Sequence, residues 1–132
     1  MKHFRTSWVL IVALSVLAVP LFAHHGRGRT YEGDATATLK GTVSRVLWRN
    51  PHIAVFVDVQ DENGKVVTWE IEHSNITTLA RQGYNRNTLP VGTKVTAVVT
   101  PGTGGVPVGL MGYIVLEDGT QIFSRRGLGP LD

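Results

Sequence analysis

The chain has 132 residues, with 13 Lys+Arg against 10 Asp+Glu, five His and no Cys. That length suits one domain with a modest core, and a 42% hydrophobic content excludes a disordered chain. Without Cys, disulfide frameworks, thiolate-held zinc, iron–sulfur clusters and thiol catalysis are all excluded.

Lys2 and Arg5 open the chain, and Trp8 to Val19 follows as an uncharged run closed by Pro20. A run of about a dozen apolar residues suits the core of an export signal and falls short of the roughly 20 needed to span a bilayer. Small Ala23, after Leu21-Phe22, marks the expected cleavage position and would leave His24 at the amino terminus. A cut after Ala18 also fits the small-residue rule, and an uncleaved membrane anchor is the other alternative. No Cys follows the hydrophobic run, which excludes a lipoprotein anchor. The expected location is therefore the periplasm, or outside the cell. A cut after Ala23 leaves 109 residues with 11 basic and 10 acidic side chains. The formal charge of +3 falls to +1, and a nucleic-acid partner becomes a poor reading.

Residues 24–38 are polar, small and without periodicity, so an extended arm is expected there. From Leu39 the chain alternates. Leu39, Gly41 and Val43 share one parity, whereas Val46 and Trp48 take the other. A phase switch near Ser44-Arg45 predicts a β-bulge or sharp bend. Asn50-Pro51 ends the strand as a turn. In the second strand Ile53, Val55, Val57 and Val59 form one face, and Ala54, Phe56 and Asp58 form the other. Asp61 to Lys65 is a hairpin turn in which Gly64 can take positive φ. The third strand sets Val67, Trp69 and Ile71 on one face and Thr68, Glu70 and Glu72 on the other. A three-residue loop pairs Asp61 with Lys65, Val57 with Trp69 and Val55 with Ile71. A one-residue slip would put valines beside Glu70 and Glu72 on a single face.

Ser74 to Gly83 predicts a helix, capped by Ser74 or Asn75 and ended by Gly83. Leu89 to Gly92 is a turn, and Val95, Ala97 and Val99 mark a fourth strand. Pro101 to Gly109 reads as a mobile Gly/Pro loop. Leu110 to Leu116 is a fifth strand, followed by a turn at Asp118-Gly119 and a short strand over Gln121 to Phe123. The expected organisation is a signal over 1–23, an arm over 24–38, a barrel domain over 39–124 and a frayed tail over 125–132. Three meandering strands, a helix and two strands give the element order of an OB-like, five-stranded Greek-key barrel: an all-β fold with one short helix.

Few residues can carry chemistry. An amino-terminal His24 would offer its α-amine and ring Nδ1 to one metal as a six-membered chelate. One more imidazole completes an N₃ set that suits copper. The amine, with a pKa near 7.7–8.0, can lose its proton to a metal at neutral pH. His25 adjoins it, and His52 is the external imidazole in the turn before the second strand. Glu72 lies diagonal to His52, as a further ligand or an orienter of the ring. The bland alternatives are a polar amino terminus with incidental His and a turn histidine bonded to local backbone. His73 points inward beside Ile53 and reads as a packed histidine. Glu70 and Glu72 together suggest acid–base work less than a solvated edge. Phe56, on the same outer face, either lines a groove or packs under the helix. No P-loop, GxSxG or HExxH motif occurs, and no nucleophile–base pair is visible.

An Ala-His-His-Gly string after the apolar run, then TLKGTVSRVLWRNPH, VDVQDENGKVVTWEIE and LARQGYNRNTLPVGTKV, resembles the domain-of-unknown-function 6152 family of small exported bacterial proteins. The resemblance spans residues 23 to 117. His24, His25, His52, Trp69 and Glu72 fall on its motif positions. Gly26 departs from the Ser that members often carry there, and the Gly-rich segment Pro101 to Gly109 replaces an expected charged loop. The resemblance implies export and this fold and brings no activity with it. The functional expectation is a non-enzymatic exported binding domain, taking a transition metal such as copper through His24, His25, His52 and Glu72. The alternative is an envelope OB barrel that binds a protein or small molecule without metal.

Overall fold

The computed structural model describes residues 31–125. The expected signal, His24, His25 and the last seven residues lie outside that range. The elements are β1 (Ala37–Leu47), β2 (Ala54–Gln60), β3 (Val66–Glu72), α1 (Ile76–Arg81), β4 (Lys94–Pro101), β5 (Val108–Leu116) and β6 (Gln121–Ile122). The strands run in the order β3-β2-β1-β4-β5-β6, and a parallel pairing of β3 with β5 closes β1 to β5 into a barrel. This is the all-β, OB-like barrel that the element order implies.

β1 is long because it serves two neighbours. Its first half pairs with β4, and β2 pairs with it from Gly41 to Leu47. The strand must bend between these duties. The β1–β2 pairing shifts between Val43 and Arg45, so Ser44 is the bulged residue that the phase switch predicts. Leu39 and Val43 are buried before it, and Val46 and Trp48 pack on the core after it. Gly41 sits where the two halves meet, and a Cβ there would strike the Asp58 carbonyl. Only glycine permits so close an approach.

The β2–β3 hairpin has the three-residue loop and the pairing expected of it. Asp61 and Lys65 share a backbone bond of 2.8 Å, Gly64 has φ +80°, and Val57 pairs with Trp69 and Val55 with Ile71. Val55, Val57 and Ile71 are fully buried as a result. They join Val43, Ile53, Ala97, Val99, Met111 and Ile114 inside the barrel.

α1 is shorter than the expected span, beginning after its cap rather than at Ser74. The Asn75 side chain accepts from the Thr78 N–H at 2.9 Å, which makes Asn75 the N-cap. At the other end the Gly83 N–H bonds to Ala80 O and the Tyr84 N–H to Leu79 O, each at 3.0 Å. That is the reciprocal pattern of a Schellman stop, with Gly83 just past the helix. Leu79 drops from α1 into the core.

Two expectations need correction. The segment Pro101 to Gly109 is not one open loop. Pro101 belongs to β4, Thr103–Gly105 is a 3-10 turn, and β5 begins at Val108. Gly102 and Gly109 are packed tightly against Val108 and Val99 respectively, so their lack of a side chain serves close contact rather than freedom. The arm is also not wholly free of the barrel. β1 starts at Ala37, and Tyr31 forms a bridge with Gly102.

Candidate functional site

The pleat of β2 and β3 sorts residues by parity. In the strands the odd positions Ile53 to Val59 and Trp69 to Ile71 face the core. Even positions face outward, and at one end of the barrel they border a recess of about 170 Å³. Its walls are Arg49, Pro51, His52, Ala54, Glu70 and Glu72, with Leu47 at the margin. His52 and Glu72 therefore share one recess, as the hairpin pairing implies.

Each wall has a local cause. The Asn50–Pro51 peptide is cis, and the Asn50 side chain accepts from the Ile76 N–H at 3.2 Å. This bond ties the turn before β2 to the start of α1. The Ile53 N–H then bonds to Ser74 O and the His73 N–H to Ile53 O, which carries the hairpin pairing past the end of both strands. His52 is thereby held half-buried on the outer side. Glu72 pairs with Ala54 on one flank and with Leu110 on the other, so it sits at the β3–β5 seam. Its Oε2 accepts the Tyr31 hydroxyl at 2.6 Å. Glu70 and Glu72 are half-buried, which corrects the expectation of a solvated edge.

Further along the same face, Phe56 is 8% exposed and lies under the Arg45 guanidinium, 3.8 Å from ring centroid to Cζ. A cation over the ring therefore covers this aromatic. Asp58 accepts from Ser44 at 3.0 Å and from Thr68 at 2.7 Å, joining the outer faces of β1, β2 and β3.

His73 is the inward histidine. It is 4% exposed, and its Nε2 has no hydrogen-bond partner among the described residues. Its ring meets Phe123 edge-on, with centroids 6.0 Å apart. Burial lowers its pKa to about 4; the hydrogen bond to the Phe123 backbone opposes this, and the Arg125 charge adds to it. Phe123 itself adopts φ +54° and is 1% exposed, packed on Tyr84.

A second and larger recess of about 320 Å³ lies between β1, β4 and β5, where Lys40, Lys94, Thr96 and Glu117 are exposed or half-exposed. It holds no histidine. Among the described residues, no three His, Asp or Glu side chains group to hold a metal ion, so the first recess on its own supplies His52 and neighbouring carboxylates only. No described helix is long and apolar enough to cross a membrane.

The sequence reading did not identify Tyr31 or Arg49 as part of this site. Tyr31 lay in a segment without periodicity. Only its place, a lone aromatic six residues after the His pair, set it apart.

Barrel topology and recess together define a small OB-like β-barrel protein. The chain belongs to the family of unknown function DUF6152, whose model matches residues 12–111. No curated protein and no solved structure matches it.

Proposed function

We propose that this is an exported binding protein that takes a transition metal, copper by preference, at the His52 recess. One observation carries the reading. His52 lies at the end of the barrel where the chain arrives from its amino terminus, because Tyr31 bonds to Glu72 on the wall of the same recess. His25 precedes Tyr31 by six residues, a stretch that reaches at most about 20 Å. Donors on His24 and His25 would thus be joined by a short run of chain to a residue bonded to the recess wall. After cleavage at Ala23 these groups make the N₃ donor set that copper favours. Metal binding would displace the proton of the terminal amine, so affinity rises with pH through the amine's range.

The position of the recess agrees with this. OB barrels take their ligands on the outer face of strands 2 and 3 between the loop before strand 2 and the loop between strands 4 and 5. His52, Glu70 and Glu72 occupy that place. Fold analogy supports a binding face and leaves the ligand to the side chains.

The test compares Cu(II) affinity for the chain beginning at His24 with the same chain carrying one extra Gly in front. The extension destroys the amine chelate and leaves both imidazoles. A fall of tenfold or more is expected. Equal affinity for the two forms would remove the chelate from the account. Absence of Cu(II) binding in both would leave the alternative, a metal-free ligand- or protein-binding barrel.

A further inference from the structure

We infer, apart from any metal, that Asn63 is a site of spontaneous deamidation and that Asp61 holds the reaction back by keeping the turn before β3 closed.

The chain has five Asn, and only Asn63 is followed by Gly. In deamidation the side-chain amide is attacked by the backbone nitrogen of the next residue, so a follower without a side chain obstructs it least. Pro51 has no N–H, and Ile76, Arg86 and Thr88 carry bulk beside theirs. Asp61 to Lys65 are all exposed, which puts the Asn63 amide in contact with water. A Cβ at Gly64 would meet only Gln60 Nε2, at 3.9 Å, so the loop is open on that side. In the first step the Gly64 nitrogen bonds to Asn63 Cγ and gives its proton to water. The Cγ–Nδ2 bond breaks, and ammonia leaves with a proton taken from water. Water then opens the five-membered imide at one carbonyl or the other. The product is Asp, or isoaspartate with its main chain running through Cβ.

The folded turn opposes the first step. The Gly64 N–H donates to Asp61 O at 2.9 Å, and the Asp61 N–H donates to Lys65 O at 2.8 Å. The Asp61 carboxylate accepts from the Asn63 N–H and the Lys65 N–H, each at 2.9 Å. Asp61 takes part in all of these bonds. With Gly64 at φ +80°, they make a type I turn followed by a left-handed glycine. In such a turn Asn63, as the third residue, has ψ near about 0°. The Gly64 nitrogen is then eclipsed with the Asn63 nitrogen, whereas ring closure needs it eclipsed with Cβ. Its N–H is also engaged by Asp61 O. The reaction therefore proceeds through a local opening of the turn, well short of unfolding, and Asp61 sets how often that opening occurs. Asp61 is a positioning residue in this scheme. The product matters because isoaspartate adds one main-chain atom to the three-residue loop that fixes which parity of β2 and β3 points inward.

The test incubates the whole chain in mildly alkaline buffer, with and without denaturing urea, and follows each Asn by peptide mass mapping. A converted peptide is heavier by the exchange of NH₂ for OH. In urea Asn63 should convert ahead of every other Asn, and without urea it should convert at least about tenfold more slowly. Asp61→Ala should speed the native reaction about tenfold, whereas Asp61→Asn keeps an oxygen for the Asn63 and Lys65 amides and should stay within about threefold of wild type. In urea the wild type and Asp61→Ala should react equally, which separates a hold on the turn from a direct effect of the carboxylate. Earlier conversion of another Asn in urea would overturn the site. Equal wild-type rates with and without urea would overturn the protection, and that comparison needs no variant to fold. Equal native rates for the wild type and a folded Asp61→Ala would overturn the role of Asp61. Hydrogen exchange at the Gly64 amide reads the same opening without chemistry: it should quicken in Asp61→Ala and stay slow in Asp61→Asn.

Discussion

His52 and His73 stand at the same end of the barrel, on neighbouring runs of chain, yet they meet different chemistry. His73 has odd parity on the hairpin. It is sealed against Phe123, has an Nε2 without a hydrogen-bond partner among the described residues and has its pKa lowered to about 4 by burial. His52 has even parity and borders an open recess with Arg49 and Glu72. One residue type thus serves as packing on one face of a pleat and as an available donor on the other. The three-residue loop at Glu62 to Gly64 makes that choice, because it fixes which parity points inward. Position on the pleat tells more here than the identity of the side chain.

The contrast between faces can be broken most severely from the inside. Ile71 is fully buried beside Val55, and Ile71→Ala should cost about 2–5 kcal/mol in chemical denaturation. A loss under about 1 kcal/mol would deny that the odd face is the core. The next largest effect is a dependence on pH. The imidazole titrates near 6.5 in the unfolded chain and near 4 in the folded one, so the unfolded state binds the proton first. Stability from this group is complete above pH 6.5 and declines as pH falls from 6.5 to 4. The full loss is about 3 kcal/mol at 1.36 kcal/mol per pKa unit. His73→Leu should remove this part of the slope in that window, and a variant with an unchanged slope would contradict the burial of the ring.

Substitutions on the outer face should matter less. Asp58 accepts two hydroxyl bonds on the half-buried outer face, and Asp58→Ala should lose about 1 kcal/mol or less. Smallest of all, His52→Ala should change stability by no more than about 0.5 kcal/mol. The same variant should weaken Cu(II) binding, separating a donor from a packing residue. A large unfolding effect would show His52 to be structural, and full retention of Cu(II) affinity would exclude it as the third donor.

Much of the fold was legible because burial writes itself into alternation. The inward faces of β2 and β3, the bulge at Ser44 and the stop at Gly83 each follow from a period, a break in it or a residue with a single conformational use. The end of β4 and the start of β5 were not legible. Gly102 and Gly109 are small because Val108 and Val99 press on them, and a glycine chosen for contact looks the same in sequence as one chosen for a turn. The site was half legible. Parity and pairing placed His52 and Glu72 together. Tyr31 joins them from 41 residues away through one hydroxyl, and Arg49 through the bend before β2. Contacts of that kind leave no local pattern. The cover over Phe56 was equally unreadable, since the guanidinium that lies on it comes from beyond the bulge in β1.

The most direct test of the two-histidine account is an NMR titration of both imidazoles with substoichiometric Cu(II), using the chain that begins at His24. The paramagnetic ion broadens rings that bind it. His52 signals should broaden at the first additions, while those of His73 stay sharp until much higher metal. Broadening of His73 first, or sharp His52 signals after one equivalent, would contradict the assignment of the outer histidine as donor and the inner one as core.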